Sequence, residues 1–351
     1  MTTIKKIIIH LLYSIAIVLP QIVLAADPDL SGLVEKRRNI VKVFDVKDQD
    51  MLLVENQFGQ VKVNLWAKKE IKVEIVITAN APTDARASEY LSAVAIDEKR
   101  EKNRINLTTV ISRNHLGSNS WNNRRGGEKN FIQIDYTVFM PKENALLVKN
   151  EFGNTDIPSF QAPLTITSRN GNFSALSLQN ADNTIDVRYG TATIGKMDGG
   201  KLESHYSNIT LEQVTKLLLN NKFGELSIGD VTDLDADIDY SGVRIGTMRG
   251  VGRIKLSYSD NFKIGALTKS AENINIQAAY SSVILPADAN RFNVTVTYGN
   301  FSYPSTNVNF IQQPSKEERT DKVRQYQGKI GAGSGTKITV VSKFGNVKLK
   351  D

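Results

Sequence analysis

Apolar and polar residues alternate along this chain in short runs, and one landmark recurs among them. An aromatic residue is followed directly by Gly or Ser, at Phe58, Phe152, Tyr189, Tyr206, Phe223, Tyr240, Tyr258, Tyr280, Tyr298 and Phe344, with Asn170 filling the same slot in an eleventh copy. From Phe152 to Tyr298 the copies lie 17 to 19 residues apart, with one gap of 22. Four residues before the landmark the side chain is always apolar, as at Val54, Ile166, Leu219 and Ile276. Three and five residues after it apolar residues return, as in Leu226/Ile228 and Val347/Leu349. Spacings of two and four are strand periodicity. Each copy therefore reads as strand, sharp corner, strand and turn. A fixed period of this length predicts a solenoid, in which one coil cannot bury its apolar face alone.

The pattern makes two specific expectations. The small residue, Gly in seven copies and Ser in four, is expected to make the corner, because Gly tolerates positive φ. Parity places the aromatic inward with the residues two and four before it. Phe152, Tyr189, Tyr206, Phe223, Tyr240, Tyr258, Tyr280 and Tyr298 are thus expected to form a core ladder at the strand spacing of about 4.8 Å. The predicted fold is all-β: a parallel β-helix-like solenoid of about eleven short coils, with an N-terminal β-rich excursion carrying one α-helix.

The same pattern divides the chain. Residues 1–25 form a secretory signal peptide, with Lys5 and Lys6 before the apolar run 7–18 and Val23-Leu24-Ala25 as the cleavage site. His10, Pro20 and Gln21 interrupt the run, which argues against an uncleaved anchor. Residues 38–141 hold the first coil and the excursion. In it, 70–78 alternates as a strand, and 82–98 reads as a helix with Thr83 as N-cap and Ala87, Tyr90, Leu91, Val94 and Ala95 as its apolar stripe. Strands are expected at 104–112 and 131–140. Residues 142–311 carry the solenoid repeats. Residues 312–335 read as a flexible charged and Gly-rich loop, and 336–351 as the terminal coil.

Composition narrows the function. The chain has no Cys, so disulfide staples and lipid attachment at an N-terminal Cys are excluded. The net charge is +7, and loss of the two leader lysines leaves it mildly basic with both signs interspersed. No nucleic-acid partner is indicated. No later stretch is apolar enough to span a bilayer. The mild positive charge allows a weak attraction to anionic glycans or lipid headgroups.

Candidate chemistry is sparse. Asp233, Asp235, Asp237 and Asp239 alternate along one strand. Alternation spreads their oxygens in a line rather than wrapping them round calcium, and aromatic alignment sets Asp235 beside Arg253, Asp237 beside Lys255, Asp239 beside Lys222 and Asp233 beside Lys216. Cross-coil charge pairing is the reading taken, with no metal and no cofactor expected. Beyond the leader the histidines are His115 and His205. His205, Glu203 and Arg188 lie outward on adjacent coils, the one cluster suited to catalysis, and a surface hydrogen-bonded ladder explains it equally well. No phosphate loop or hydrolase motif is present, so no catalytic residue is assigned. The polar segment 113–130 reads as a loop in which Trp121, Arg124 and Arg125 form a candidate ligand-binding patch.

The segments VENQFGQVKVNLW, FIQIDYTVFMPKENALLVKNEFGNTDI and ITVVSKFGNVKLKD, with a helix following a strand between the first two, resemble the putative adhesin family of exported β-solenoids common in Bacteroidota. The resemblance runs from about Arg38 to Asp351 and rests on the repeated [FY]-G-x-[VIL]-x-[VIL] motif. It implies an envelope-associated, right-handed parallel β-helix-like protein and supplies no catalytic motif. The expected function is an exported, non-catalytic adhesin-like module binding glycan or an envelope protein, in the periplasm or at the cell surface. The alternatives are a periplasmic structural or signalling partner and, third, a polysaccharide lyase or hydrolase.

Overall fold

A computed structural model describes residues 32–112, 131–288 and 290–350. Residues 1–25, read as a signal peptide, and 113–130, read as a loop, with His115, Trp121, Arg124 and Arg125, lie outside the described residues. The N-terminal part contains β1 (Val34–Asp45), β2 (Met51–Gln57), β3 (Val61–Leu65), β4 (Glu70–Ala81), α1 (Asp84–Ala93), β5 (Val94–Glu101), β6 (Arg104–Ile111) and β7 (Phe131–Met140). The repeats comprise β8 (Ala145–Glu151), β9 (Thr155–Phe160), β10 (Leu164–Arg169), β11 (Asn172–Leu178), β12 (Asn183–Arg188), β13 (Thr191–His205), β14 (Asn208–Met248), β15 (Gly252–Ser257), β16 (Phe262–Leu267), β17 (Asn273–Ala279) and β18 (Val283–Pro286). The C-terminal part contains β19 (Arg291–Thr297), β20 (Phe301–Ser302), β21 (Val308–Gln312), a 3-10 turn at Glu318–Thr320, β22 (Val323–Ile330), β23 (Lys337–Lys343) and β24 (Val347–Lys350).

The predicted solenoid is the observed fold. Strands preceding an aromatic corner stack in parallel as a first sheet, and strands following it stack as a second. One coil shows the build. Leu226 and Ile228 point in from the second sheet, Val231 fills a short third side between two bends, and Leu234, Ala236 and Ile238 point in from the first. Stacking these positions buries one continuous apolar column, which no single coil could do.

The spatial order of coils departs from the chain order at both ends. The first coil, β2/β3, lies between β6/β7 on one side and β8/β9 on the other. The last coil, β23/β24, inserts between β17/β18 and β19/β20. Antiparallel strands finish both ends: β4 on β7 and β1 on β4, β5 on β6, β22 on β19 and β21 on β22. They end the parallel stack with strands of different direction and side-chain pattern, one way to blunt a sheet edge.

Two sequence expectations change here. The helix stops at Ala93, not near Glu98, although Thr83 does cap it by accepting from Arg86 N at 3.2 Å. Val94 and Ala95 belong to β5, where they pair with Ile111 and Val110 of β6. The sheet's hydrogen bonds outweigh one more helical turn at a Val-Ala-Ile run that is itself a modest helix former. Within 312–335, residues Val323–Ile330 are a strand rather than loop, paired with β19 along its length. Tyr326 and Ile330 bury on its inner side, an alternation hidden by the charged residues before it.

Candidate functional site

The corner itself overturns the inward ladder. All eleven landmark residues, Asn170 included, have φ between 50° and 60°. The left-handed residue is therefore the aromatic rather than the glycine. Positive φ slips the alternation by one, so the rings turn outward while the residues at −4, −2, +1 and +3 stay inside. Phe152, Tyr189, Tyr206, Tyr240, Tyr258, Tyr280, Tyr298 and Phe344 are exposed, from 38% at Phe344 to 59% at Tyr189, and Phe223 is half-buried. The ladder exists, but on the surface. Tyr189, Tyr206, Phe223, Tyr240, Tyr258, Tyr280, Phe344 and Tyr298 form one unbroken stack, with centroids 4.7–5.3 Å apart and planes within 13°. A left-handed L-residue costs roughly 1–2 kcal/mol, and an aromatic contact returns about 0.5–1.5 kcal/mol. The rings offset the strain of their own corners.

The +1 residue is small for a different reason than the one expected. A Cβ on Gly153 would overlap the carbonyl oxygen of Gly59 in the adjacent coil, and one on Gly171 would overlap that of Gly153. Where Ser replaces Gly, its buried hydroxyl donates to the carbonyl two residues back, as Ser207 to His205 at 2.8 Å and Ser241 to Asp239 at 2.7 Å. An inward polar ladder lies beside it. Asn150 Nδ2 donates to Gly59 O at 3.0 Å, and Asn56 Nδ2 to Ile134 O at 2.9 Å. Thr109 Oγ1 joins Asn56 Oδ1 at 3.1 Å to the Tyr136 hydroxyl at 2.8 Å. These amides hold the corners and face no solvent.

The outer face of the first sheet is the surface with chemistry to offer. A groove of about 770 Å³ crosses it from β13 to β23. One row along its floor reads Glu203, Asn220, Asp237, Lys255, Gln277 and Val341, and a second reads Lys201, Leu218, Asp235, Arg253, Asn275 and Thr339. The charges are mixed and only partly paired. Arg253 Nε meets Asp235 at 3.2 Å, and Lys201 Nζ meets Glu203 at 2.5 Å. That Lys201 bond holds Glu203 below the usual carboxylate range, against an opposing effect of partial burial, with Arg188 and His205 adding to it. Among the described residues, the side chains of Asn220, Asp237, Lys255, Asn275 and Gln277 have neither hydrogen bond nor ion pair.

The other candidate residues take structural places. Arg188, Glu203 and His205 do come together at the edge of this groove, with Arg188 opposite His205. Arg188 is held by Asp186 at 3.0 Å through two nitrogens, an arrangement of structural pairing. Asp235 pairs with Arg253 and Asp237 sits opposite Lys255 as aligned. Asp233 instead accepts from Val251 N at 3.0 Å and shapes a turn. Among the described residues no three metal-ligating side chains cluster. Trp121, Arg124 and Arg125 are not among them.

Comparison with known proteins adds names. No family model matches the chain, and no curated protein does. Solved structures do. A putative cell adhesion protein from Clostridium sporogenes shares 13% identity at a TM-score of 0.20, covering 90% of this chain and 100% of its own. A putative adhesin from Bacteroides fragilis shares 10% at 0.26, covering 89% and 97%. A putative adhesin from Parabacteroides distasonis shares 14% at 0.29, covering 89% and 97%. Likeness at these scores carries no functional weight, so function is read from the chain's own geometry.

Proposed function

We propose that this chain is an exported, non-catalytic β-solenoid of the cell envelope that acts as an adhesin-like binding module. The ligand-contacting surface is the outer face of the first sheet. One observation carries the reading: an open groove crosses successive coils and displays amide and charged side chains that bond to nothing else. An open groove that crosses successive coils suits an extended polymer, glycan or peptide, better than a small molecule, which favours an enclosed pocket. The leader-like residues 1–25 support export. The ladder rings are a poor sugar platform, because each inner ring has both faces occupied by its neighbours.

The test is binding of the chain from residue 26 to intact cells and to an array of extended glycans. The groove variant Asn220→Lys/Gln277→Lys is expected to bind several-fold less with an unchanged melting temperature. Equal binding by both forms would move the contact surface elsewhere. Protease shaving of intact cells, against a lysed control, separates a surface module from the second reading, a periplasmic partner protein. That reading draws on β1, which among the described residues pairs only with β4 and exposes Val41 and Val43.

A further inference from the structure

At the C-terminal end of the same sheet the charge balance changes. The register sets Lys337 of β23 directly opposite Arg291 of β19, and Arg291 directly opposite Lys329 of β22. All three are exposed. With Lys269 they line a second groove of about 660 Å³, in which Glu272 is the single carboxylate. None of the four cations forms an ion pair among the described residues. Like charges directly opposite on neighbouring strands are destabilising. Where Arg169 faces Arg188 elsewhere on this sheet, each has an acid, Glu151 at 3.4 Å and Asp186 at 3.0 Å. Here three cations on adjacent strands face one another with no acid among the described residues paired to any of them.

The next outward row differs in kind. Asn275, Thr339, Asn293 and Gln327 lie side by side on β17, β23, β19 and β22. Their side chains make no hydrogen bond among the described residues. The surface thus offers a line of cations, one about every 4.8 Å along the stack, bordered by a line of uncharged donors and acceptors. We propose that this surface binds an acidic polysaccharide, with successive carboxylate or sulfate groups on the Lys337–Arg291–Lys329 row and hydroxyls on the amide row. A membrane of anionic headgroups fits less well, because a recessed groove keeps the cations from a flat surface and leaves the amides without a role. The inference rests on the binding-module reading and names a ligand class for one end of the same face.

The experiment measures binding of the chain from residue 26 to unesterified polygalacturonate, its methyl-esterified form, dextran sulfate and phosphatidylglycerol vesicles. Binding to at least one acidic polysaccharide is expected, and it should weaken as salt rises. Methyl esterification should abolish any binding to polygalacturonate. Arg291→Gln/Lys337→Gln should weaken binding about tenfold or more, from the loss of charge-assisted hydrogen bonds. The same change relieves repulsion, so its melting temperature should hold or rise. Lys263→Gln, exposed on β16 of the second sheet, should bind as the parent does. The inference is overturned by no binding to either acidic polymer, by equal binding of the double variant, or by binding to vesicles alone. If the protein binds neutral glycans or cells while ignoring acidic polymers, this site falls and the binding-module reading stands; if it binds none of them, both fall.

Discussion

At the residue scale the corner aromatic is the informative position. Tyr240 has φ of 50° and stacks on Phe223 at 4.9 Å and Tyr258 at 4.9 Å. Were it a core residue, truncation to Ala would cost about 3–5 kcal/mol. As an exposed ring with two stacking neighbours, Tyr240→Ala should cost only about 1–3 kcal/mol. Tyr240→Gly should cost less than the Ala variant, because glycine alone enters this backbone region without strain. Chemical denaturation of the two variants decides it, and a Gly variant weaker than the Ala variant would remove left-handed strain from the explanation. Tyr136 is the contrasting case, a phenol sealed inside. Burial pushes its pKa from 10.0 up to about 12, against a smaller opposing effect of the Thr109 bond. A folded pKa above the unfolded one adds stability that is fully present below pH 10 and lost as pH rises from 10 to about 12. At about 1.4 kcal/mol per unit, the loss is on the order of 2–3 kcal/mol. Tyr136→Phe should start less stable, lacking the hydroxyl's bond, and show a shallower decline over that window. Parallel curves would show that water reaches the hydroxyl in the folded state.

At the element scale the last coil behaves as a keystone. β23 pairs in parallel with β17 on one side and β19 on the other, and Phe344 stacks between Tyr280 at 4.8 Å and Tyr298 at 5.0 Å. Deleting 336–351 should therefore cost β19 and β22 their protection from hydrogen exchange, while β8 to β14 keep theirs, because coils interact with nearest neighbours. Retained protection in β19 would mean that its coil closes directly onto β17, as a sequential repeat would. The deletion also removes Lys337, so it should abolish the cation row whichever way β19 settles. The helix teaches the same lesson. Its start was legible from Thr83, whose side chain caps it, but its end was set by a strand partner in β6.

At the scale of the whole molecule, a rod of stacked coils at about 4.8 Å spacing carries one broad polar face, one edge of stacked rings and antiparallel strands at each end. Mixed charge across the middle of the face gives way to unpaired cations at the C-terminal end. That asymmetry is invisible in the modest net charge of +7, since it arises from which strands lie side by side. The repeat spacing, strand periodicity and fold class could be read from the sequence, because each is a local pattern copied many times. Half of the corner was legible too: apolar residues at −4 and at +3 have opposite parity, so the alternation had to slip between them. The sign of φ at the landmark decided which residue absorbed the slip, and with it whether the rings faced the core or water. Only the tertiary structure placed the last coil inside the stack, turned residues 323–330 into a strand and brought Lys337, Arg291 and Lys329 into one line. Strand partners are chosen by contacts between segments distant in the chain, and a pattern that repeats in every coil cannot say which copy lies next to which.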